Sequence, residues 1–351
     1  MKRAPAPRKA LDGVHPYREA SAAPLNLSNN TSLFEPNPAF AQALQTFPPE
    51  QLAAYPSLDS RRLREAAATA HSLRPEMVVT GNGSNDLLDL AMRAFCEPGE
   101  RVAWHPPSFE MVPVFARAAG CDVRDIALRQ PGFTLDAVAM LAARAKVAVI
   151  CRPNNPTGNA FPHEDVLRVV EESAGLVVVD EAYGDFADDS FVPLVKEHPN
   201  LLVTRTLSKA HGLAALRIGY GLAQAPVIEA LYKARGPFRL NALSEHLGVA
   251  ALQDTNYVRK VVDEVRRERA HLTTELRTRG ITVQESDANF VLFKPACDAK
   301  LLHAALLRRG VGVRVFAAPG LKGWVRTTVG PAWVTRRFLA DLDAALREVG
   351  R

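Results

Sequence analysis

Three short apolar runs, VAVIC at 147–151, LVVVD at 176–180 and LLVTRT at 201–206, constrain this chain more than any other feature. Each is β-branched or aliphatic, with few polar interruptions. Such runs suit central strands covered on both faces. From about residue 60, helical and strand patterns alternate. The helix RRLREAAATAHSL precedes the strand MVVTG, and the helix NDLLDLAMRAF ends before the turn residues EPGE. The strand RVAWH, a helix through MVPVFARAAG and the strand CDVRDIAL follow. This alternation implies an α/β fold whose layered sheet is mostly parallel.

The last third reads differently. A long amphipathic helix over 257–279 stops at Gly280. After it come the strand candidates ITVQE, NFVLFKP, VGVRVF and WVRTTVG, with a helix in AKLLHAALLRRG and another running to the C-terminus. This part is more strand-rich and reads as a separate α+β domain. Residues 1–40 are rich in Pro, Asn and Ser and read as an extended arm. A chain of 351 residues is too long for one small core and fits a large domain plus a smaller one.

Several function classes are excluded by composition. No apolar run reaches the roughly 18–20 residues that span a bilayer. The basic start MKRAPAPRK has no apolar signal core behind it, so the expectation is a cytoplasmic protein. Cys96, Cys121, Cys151 and Cys297 are scattered, with no CxxC pair, which argues against a zinc site and a disulfide framework; no metal is expected. The net charge is +5, but Lys and Arg interleave with Asp and Glu, as in RKVVDEVRRERA. That is the pattern of solvated helix faces, with no nucleic-acid stripe and no membrane partner. No GxGxxG opens a helix after a first strand, so a nicotinamide dehydrogenase is not indicated.

Four segments at predicted strand ends carry chemistry, and in open α/β sheets that edge binds ligands. In TGNGSNDLLDL, Gly81 and Gly83 allow a tight turn, and Ser84, Asn85 and Asp86 enter a helix whose free N–H groups attract a phosphate. CRPNNPTGN forms a rigid irregular loop in which Asn155 offers a donor. LVVVDEAYGDF delivers Asp180 at the end of a buried strand, where a carboxylate needs a cationic partner; Tyr183 follows. TRTLSKAHGLAALRIGYG carries Lys209 after Ser208, with Arg217 further on. Singly, each has an ordinary reading as a helix cap, a turn, a structural ion pair or a surface lysine.

Their order changes the reading. PNNPTG, then DEAY, then SKAHGLAALRIGY resembles the fold-type I pyridoxal-phosphate aminotransferases, and most closely the histidinol-phosphate aminotransferase family. The resemblance runs from HPY at 15–17 to WVRTTVG at 324–330. It implies a three-layer sandwich: an arm over 1–40 packing with the small domain, a large cofactor-binding domain over 41–250 and a small C-terminal domain over 251–351. It also implies pyridoxal 5'-phosphate as cofactor. Lys209 is similar to the Schiff-base lysine, which then shuttles a proton. Asp180 would pair with the pyridine nitrogen. Asn155 and Tyr183 would hydrogen-bond the ring hydroxyl oxygen. Ser84, Asn85, Thr206, Ser208 and Arg217 would hold the phosphate, and Phe109 would stack on the ring. Tyr55 resembles a tyrosine lent by the neighbouring subunit, so a homodimer is implied.

For the substrate, Arg326 matches an arginine that takes a carboxylate or phosphate anion. Arg314 in VGVRVF and Tyr17 in HPYRE match additional phosphate contacts; together they point to L-histidinol phosphate as amino donor and 2-oxoglutarate as acceptor. This chain departs from the family where Asn85–Asp86 replaces an acidic pair, where Asn29-Asn30-Thr31-Ser32 stands for NENP, and at His211 and Arg152. His211 reads as a packed residue near the cofactor loop. These departures bear on substrate choice. The alternatives are an aromatic or other amino-acid aminotransferase, a threonine-phosphate decarboxylase and a cofactor-binding regulator without turnover. The regulator is disfavoured by the lack of a helix-turn-helix pattern in the first 40 residues.

Overall fold

The computed structural model describes residues 8–12, 14 and 23–350. At its centre is a seven-stranded sheet in the order Val78–Asn82, Ile218–Leu222, Leu201–Thr206, Leu176–Asp180, Val147–Cys151, Arg101–Trp104, Asp122–Asp125. Ile218–Leu222 runs antiparallel to both neighbours, and the remaining pairs are parallel. The three apolar runs are its middle strands, and every residue in them is buried.

Successive side chains on a strand point to opposite faces, and the packing follows that alternation. Val177, Val179 and Val203 join a core with Leu63, Val166, Val169 and Leu247 on one face. Val178, Val149 and Leu202 join Leu87, Leu88, Leu90 and Met92 on the other. Burial of one such aliphatic side chain contributes about 1.5–3 kcal/mol. Two covered faces therefore explain why these strands are mostly apolar, with buried polar residues only toward their site ends, at Asp180 and at Thr204, Arg205 and Thr206. Some of the helices begin where a side chain satisfies a free N–H group: Asp136 accepts from Ala139 N–H at 3.0 Å, Asn241 from Ser244 N–H at 2.8 Å and Asp254 from Tyr257 N–H at 3.1 Å.

A second, antiparallel sheet has the order Arg314–Val315, Val325–Thr328, Phe290–Lys294, Thr282–Val283. Its core gathers Phe290, Phe293 and Val325 with Val265 and Leu272 of the helix Thr255–Thr278, Leu302 and Leu306 of Ala299–Arg308, and Phe338 and Leu342 of Ala332–Val349. Two strand expectations are corrected. ITVQE is a strand only at Thr282–Val283. VGVRVF is two strands: Arg314–Val315 stays in this sheet, while Val311–Gly312 pairs in parallel with Leu25–Asn26 of the N-terminal segment. Leu27 then continues alongside, its N–H donating to Gly312 O at 2.7 Å and its carbonyl accepting from Thr328 N–H at 2.9 Å. Residues 25–30 are thereby fixed against the second sheet.

Candidate active site

The middle strands end on one edge of the large sheet, and the loops that leave them converge there. Cys151 and Asp180 are direct partners on adjacent parallel strands, as are Asp180 and Thr204. Asp180 is buried, and its Oδ1 accepts from Thr204 Oγ1 at 2.7 Å. The Cys151 thiol lies 3.9 Å from Oδ2. Burial pushes the Asp180 carboxyl up to about 6, while the Thr204 hydrogen bond opposes that rise. A buried carboxylate so placed favours a cationic partner.

Lys209, in the loop after Leu201–Thr206, is half-buried. Its Nζ donates to Asn29 O at 3.3 Å and sits 5.4 Å from the centre of the Tyr183 ring. Burial first, then the charges of Arg326 and Arg217, bring this amine down to about 7. It therefore holds a neutral, nucleophilic fraction near neutral pH. Tyr183 is buried edge-on against Phe290, with ring centres 5.1 Å apart, and its hydroxyl accepts from Asn30 Nδ2 at 3.1 Å.

The helix Ser84–Phe95 begins close against Arg217 and the strand Ile218–Leu222. Gly83 has φ +83°, and a Cβ there would lie 2.6 Å from Arg217 Nη2. A Cβ on Gly219 would lie 2.4 Å from Ser84 N. Only bare backbone lets the helix start, the strand and Arg217 close up in this way. Thr206 Oγ1 lies 2.9 Å from Ser208 Oγ and 3.0 Å from Ile218 O, and Arg217 Nη1 donates to Ser208 Oγ at 3.4 Å. Helix N–H groups, two hydroxyls and a guanidinium form a donor set for a phosphate.

Arg326 is buried between the rings of Phe290 and Phe316. It donates to Asn155 Oδ1, and through Nη2 to Ser28 O at 2.5 Å. Arg314 is its direct cross-strand partner. Thus residues 28–30 of the arm contact Arg326, Lys209 and Tyr183, Arg326 also reaches Asn155, and Thr206, Ser208 and Arg217 contact one another in the loop that carries Lys209. Ser84 is buried and Asn85 half-buried in the first helical turn. Phe109 is half-buried and packs against the core that holds Leu87 and Val112. Tyr55 is 85% exposed and stacks on Phe238, with ring centres 4.8 Å apart. Tyr17 lies outside the described residues.

The comparisons with known proteins agree with this geometry. Residues 22–342 match the family described as aminotransferase class I and II. The chain is 38% identical over 331 residues to a histidinol-phosphate aminotransferase of Symbiobacterium thermophilum, covering 92% of this chain and 91% of that protein. It is 37% identical over 281 residues to the enzyme of that name from Caldanaerobacter subterraneus subsp. tengcongensis, covering 78% and 79%.

The chain belongs to the class I and II aminotransferases.

It is an aminotransferase in fold as well. The crystal structure of histidinol-phosphate aminotransferase from Sinorhizobium meliloti, in complex with pyridoxal-5'-phosphate, is similar with a TM-score of 0.88 at 23% identity, covering 97% of this chain and 98% of that one. Among the described residues, no helix is long and apolar enough to cross a membrane, and no group of His, Cys, Asp and Glu is arranged to hold a metal ion.

Two site neighbours of this aminotransferase, Thr204 and Ser28, carry no signal of that role in the sequence. Thr204 escapes notice because it reads as one more strand residue. Ser28 and Asn29 contribute backbone carbonyls, which no motif encodes. Behind the loops, Arg205 lies 3.5 Å from Glu181 and 3.6 Å from Asp185, and His211 Nε2 lies 4.0 Å from Asp185. His211 is buried in this cluster. Arg152 donates to both oxygens of Asp189, at 2.8 and 3.0 Å, and to Phe161 O at 2.8 Å, bracing the start of the PNNPTG loop.

Proposed function

We propose that this aminotransferase uses pyridoxal 5'-phosphate on Lys209 to move an amino group between L-histidinol phosphate and 2-oxoglutarate. The donor set supports the cofactor assignment. Ser84, Asn85, Thr206, Ser208 and Arg217 would hold the phosphate, and the glycine cradle suits a backbone approach to it. Asp180 would hold the protonated ring nitrogen, relieving its own burial. Asn155 and Tyr183 would face the ring hydroxyl oxygen, and Phe109 would lie against the ring. Tyr55, highly exposed on its own subunit, would reach the phosphate of a second copy in a cytoplasmic homodimer.

When bound, the cofactor supplies an electrophilic carbon for amines and a ring that accepts the electron pair released at the substrate carbon. Lys209 would supply the amine that holds the cofactor, and the same amine would take and return the substrate-carbon proton. Asp180 would hold the proton on the ring nitrogen. Arg326 orients the substrate anion as a planar fork.

The observation that carries the substrate assignment is the direct opposition of Arg326 and Arg314 on neighbouring strands. Two arginines on one face of neighbouring strands suit a dianionic phosphate, and one of them suffices for the carboxylate of glutamate. With Tyr17 they would form the phosphate end of the substrate site. The test is steady-state formation of glutamate from 2-oxoglutarate with each amino donor in turn. Histidinol phosphate should exceed phenylalanine by at least about 100-fold in kcat/KM, well within the roughly 10⁴- to 10⁵-fold by which a site built to hydrogen-bond a polar group rejects a ligand lacking it. A preference for phenylalanine would replace the substrate but not the cofactor.

A further inference from the structure

Asn30 is 1% exposed and sits at φ +54°, a left-handed conformation that asparagine enters more readily than most residues. Its backbone N–H donates to Thr328 Oγ1 at 3.1 Å, and its carbonyl accepts from Asn289 Nδ2 at 3.2 Å. Its side-chain Oδ1 lies 3.4 Å from Thr328 Oγ1, whose proton also reaches Leu27 O at 2.8 Å in a three-centre arrangement. The remaining group, Nδ2, donates to Tyr183 OH at 3.1 Å. Backbone and side chain are thus both committed, far more than packing of an arm requires.

A phenol has one proton and two lone pairs. Asn30 fills a lone pair, so the proton must point elsewhere. Tyr183 is buried, and among the described residues none accepts that proton. A buried donor without an acceptor is costly, which marks this hydroxyl as aimed at a ligand oxygen. Burial drives the phenol up to about 12, so the proton remains on it through the neutral range.

We infer that Asn30 is a positioning residue: by donating to Tyr183 it forces the phenolic proton toward the anionic ring oxygen of the cofactor. This rests on the cofactor reading given above. The same arm segment offers Ser28 O to Arg326 and Asn29 O to Lys209. Three consecutive arm residues therefore hold three separate groups of the site, and Asn30 is the one whose side chain sets a proton direction.

The charged and titratable groups facing Tyr183 are Arg326, Asp180, Cys151 and Lys209. Each remains in the variants below. Asn30→Asp keeps the size and tolerates the left-handed backbone, but a carboxylate only accepts. Tyr183 would then turn its proton toward Asp at this position and present a lone pair to the ring oxygen. Without that donor the anionic ring oxygen is less stable, and the protonated form of the bound chromophore persists to higher pH.

The experiment is a pH titration of the visible absorption of the purified holoenzyme. Asn30→Asp and Tyr183→Phe should each raise the midpoint by about 1–2 pH units, the equivalent of one charge-assisted hydrogen bond. Asn30→Asp added to Tyr183→Phe should move it by less than about 0.3 further, because both changes remove one interaction. Asn30→Gly, neutral and without backbone strain, should also raise it, and decides the matter if the Asp variant does not fold. An unchanged midpoint would mean that the amide presents its oxygen to Tyr183, and would overturn the inference. An equal rise in the Tyr183→Phe background would do so too, since charge alone would then explain it. Wild-type protein with no visible band after incubation with pyridoxal phosphate would overturn the cofactor reading first, and this inference with it.

Discussion

Arg314 and Arg326 are direct partners across two antiparallel strands, so both side chains leave the same face of the sheet. An anion within reach of both would be held by two cations. Arg314→Ala should raise KM for histidinol phosphate by about 10- to 100-fold, the range of a charge-assisted hydrogen bond. The effect on glutamate should stay below about 3-fold. Steady-state kinetics with both donors checks this; equal losses would contradict the phosphate assignment.

If Lys209 holds the cofactor as proposed, its amine would set the pH at which the cofactor is captured. Its amine reacts when neutral. Burial and the charges of Arg326 and Arg217 lower it from 10.5 to about 7. The neutral fraction therefore rises as pH increases through 7 and is nearly complete at about pH 8–9. Capture of pyridoxal phosphate by apoprotein, trapped with borohydride and counted by mass, should accelerate with a midpoint near 7. Arg326→Leu removes one nearby positive charge, so the midpoint should move up. A midpoint near 10 in the unaltered protein would mean that this amine is not desolvated.

Thr204 holds Asp180 from the neighbouring strand. Thr204→Val keeps the volume but removes the donor. The carboxylate then loses a hydrogen bond worth about 1.5–3 kcal/mol, and the carboxyl rises further above its ordinary range. Cofactor Kd should increase by about 10- to 100-fold, and the acid limb of the activity profile should move to higher pH. Fluorescence titration of apoprotein with pyridoxal phosphate measures the first effect. Unchanged affinity would show that Asp180 does not depend on this hydroxyl.

Arg152 is almost fully buried and its guanidinium meets both oxygens of the partly exposed Asp189. Asp189→Ala would leave that cation without its carboxylate. Unfolding free energy should fall by about 1–3 kcal/mol, read from urea denaturation. A loss below about 0.5 kcal/mol would mark the pair as incidental.

Much of this was legible in the chain because burial and motif order are written in side chains. VAVIC, LVVVD and LLVTRT look like doubly covered strands and are. SKAHGLAALRIGY and DEAY bring Lys209, Arg217, Asp180 and Tyr183 to the same loops as PNNPTG. VGVRVF misled because its β-type pattern carries no mark at Val313, where the chain leaves one sheet for another. Leu25–Asn26 is only two residues long, too short for periodicity, and its pairing is decided by the partner strand. Likewise, Asn30 looked like a departure from a motif. Its importance depends on Tyr183, Thr328 and Asn289 meeting it in space, which no local pattern expresses.

The central claim is that one site on Lys209 takes its amino group from histidinol phosphate. Single-turnover absorbance tests it most directly, with the pyridoxal-phosphate form mixed separately with histidinol phosphate, glutamate, phenylalanine and threonine phosphate. The visible band should give way to the pyridoxamine-phosphate form with histidinol phosphate and glutamate, far faster than with the other two. Rapid conversion by phenylalanine and none by histidinol phosphate would contradict it.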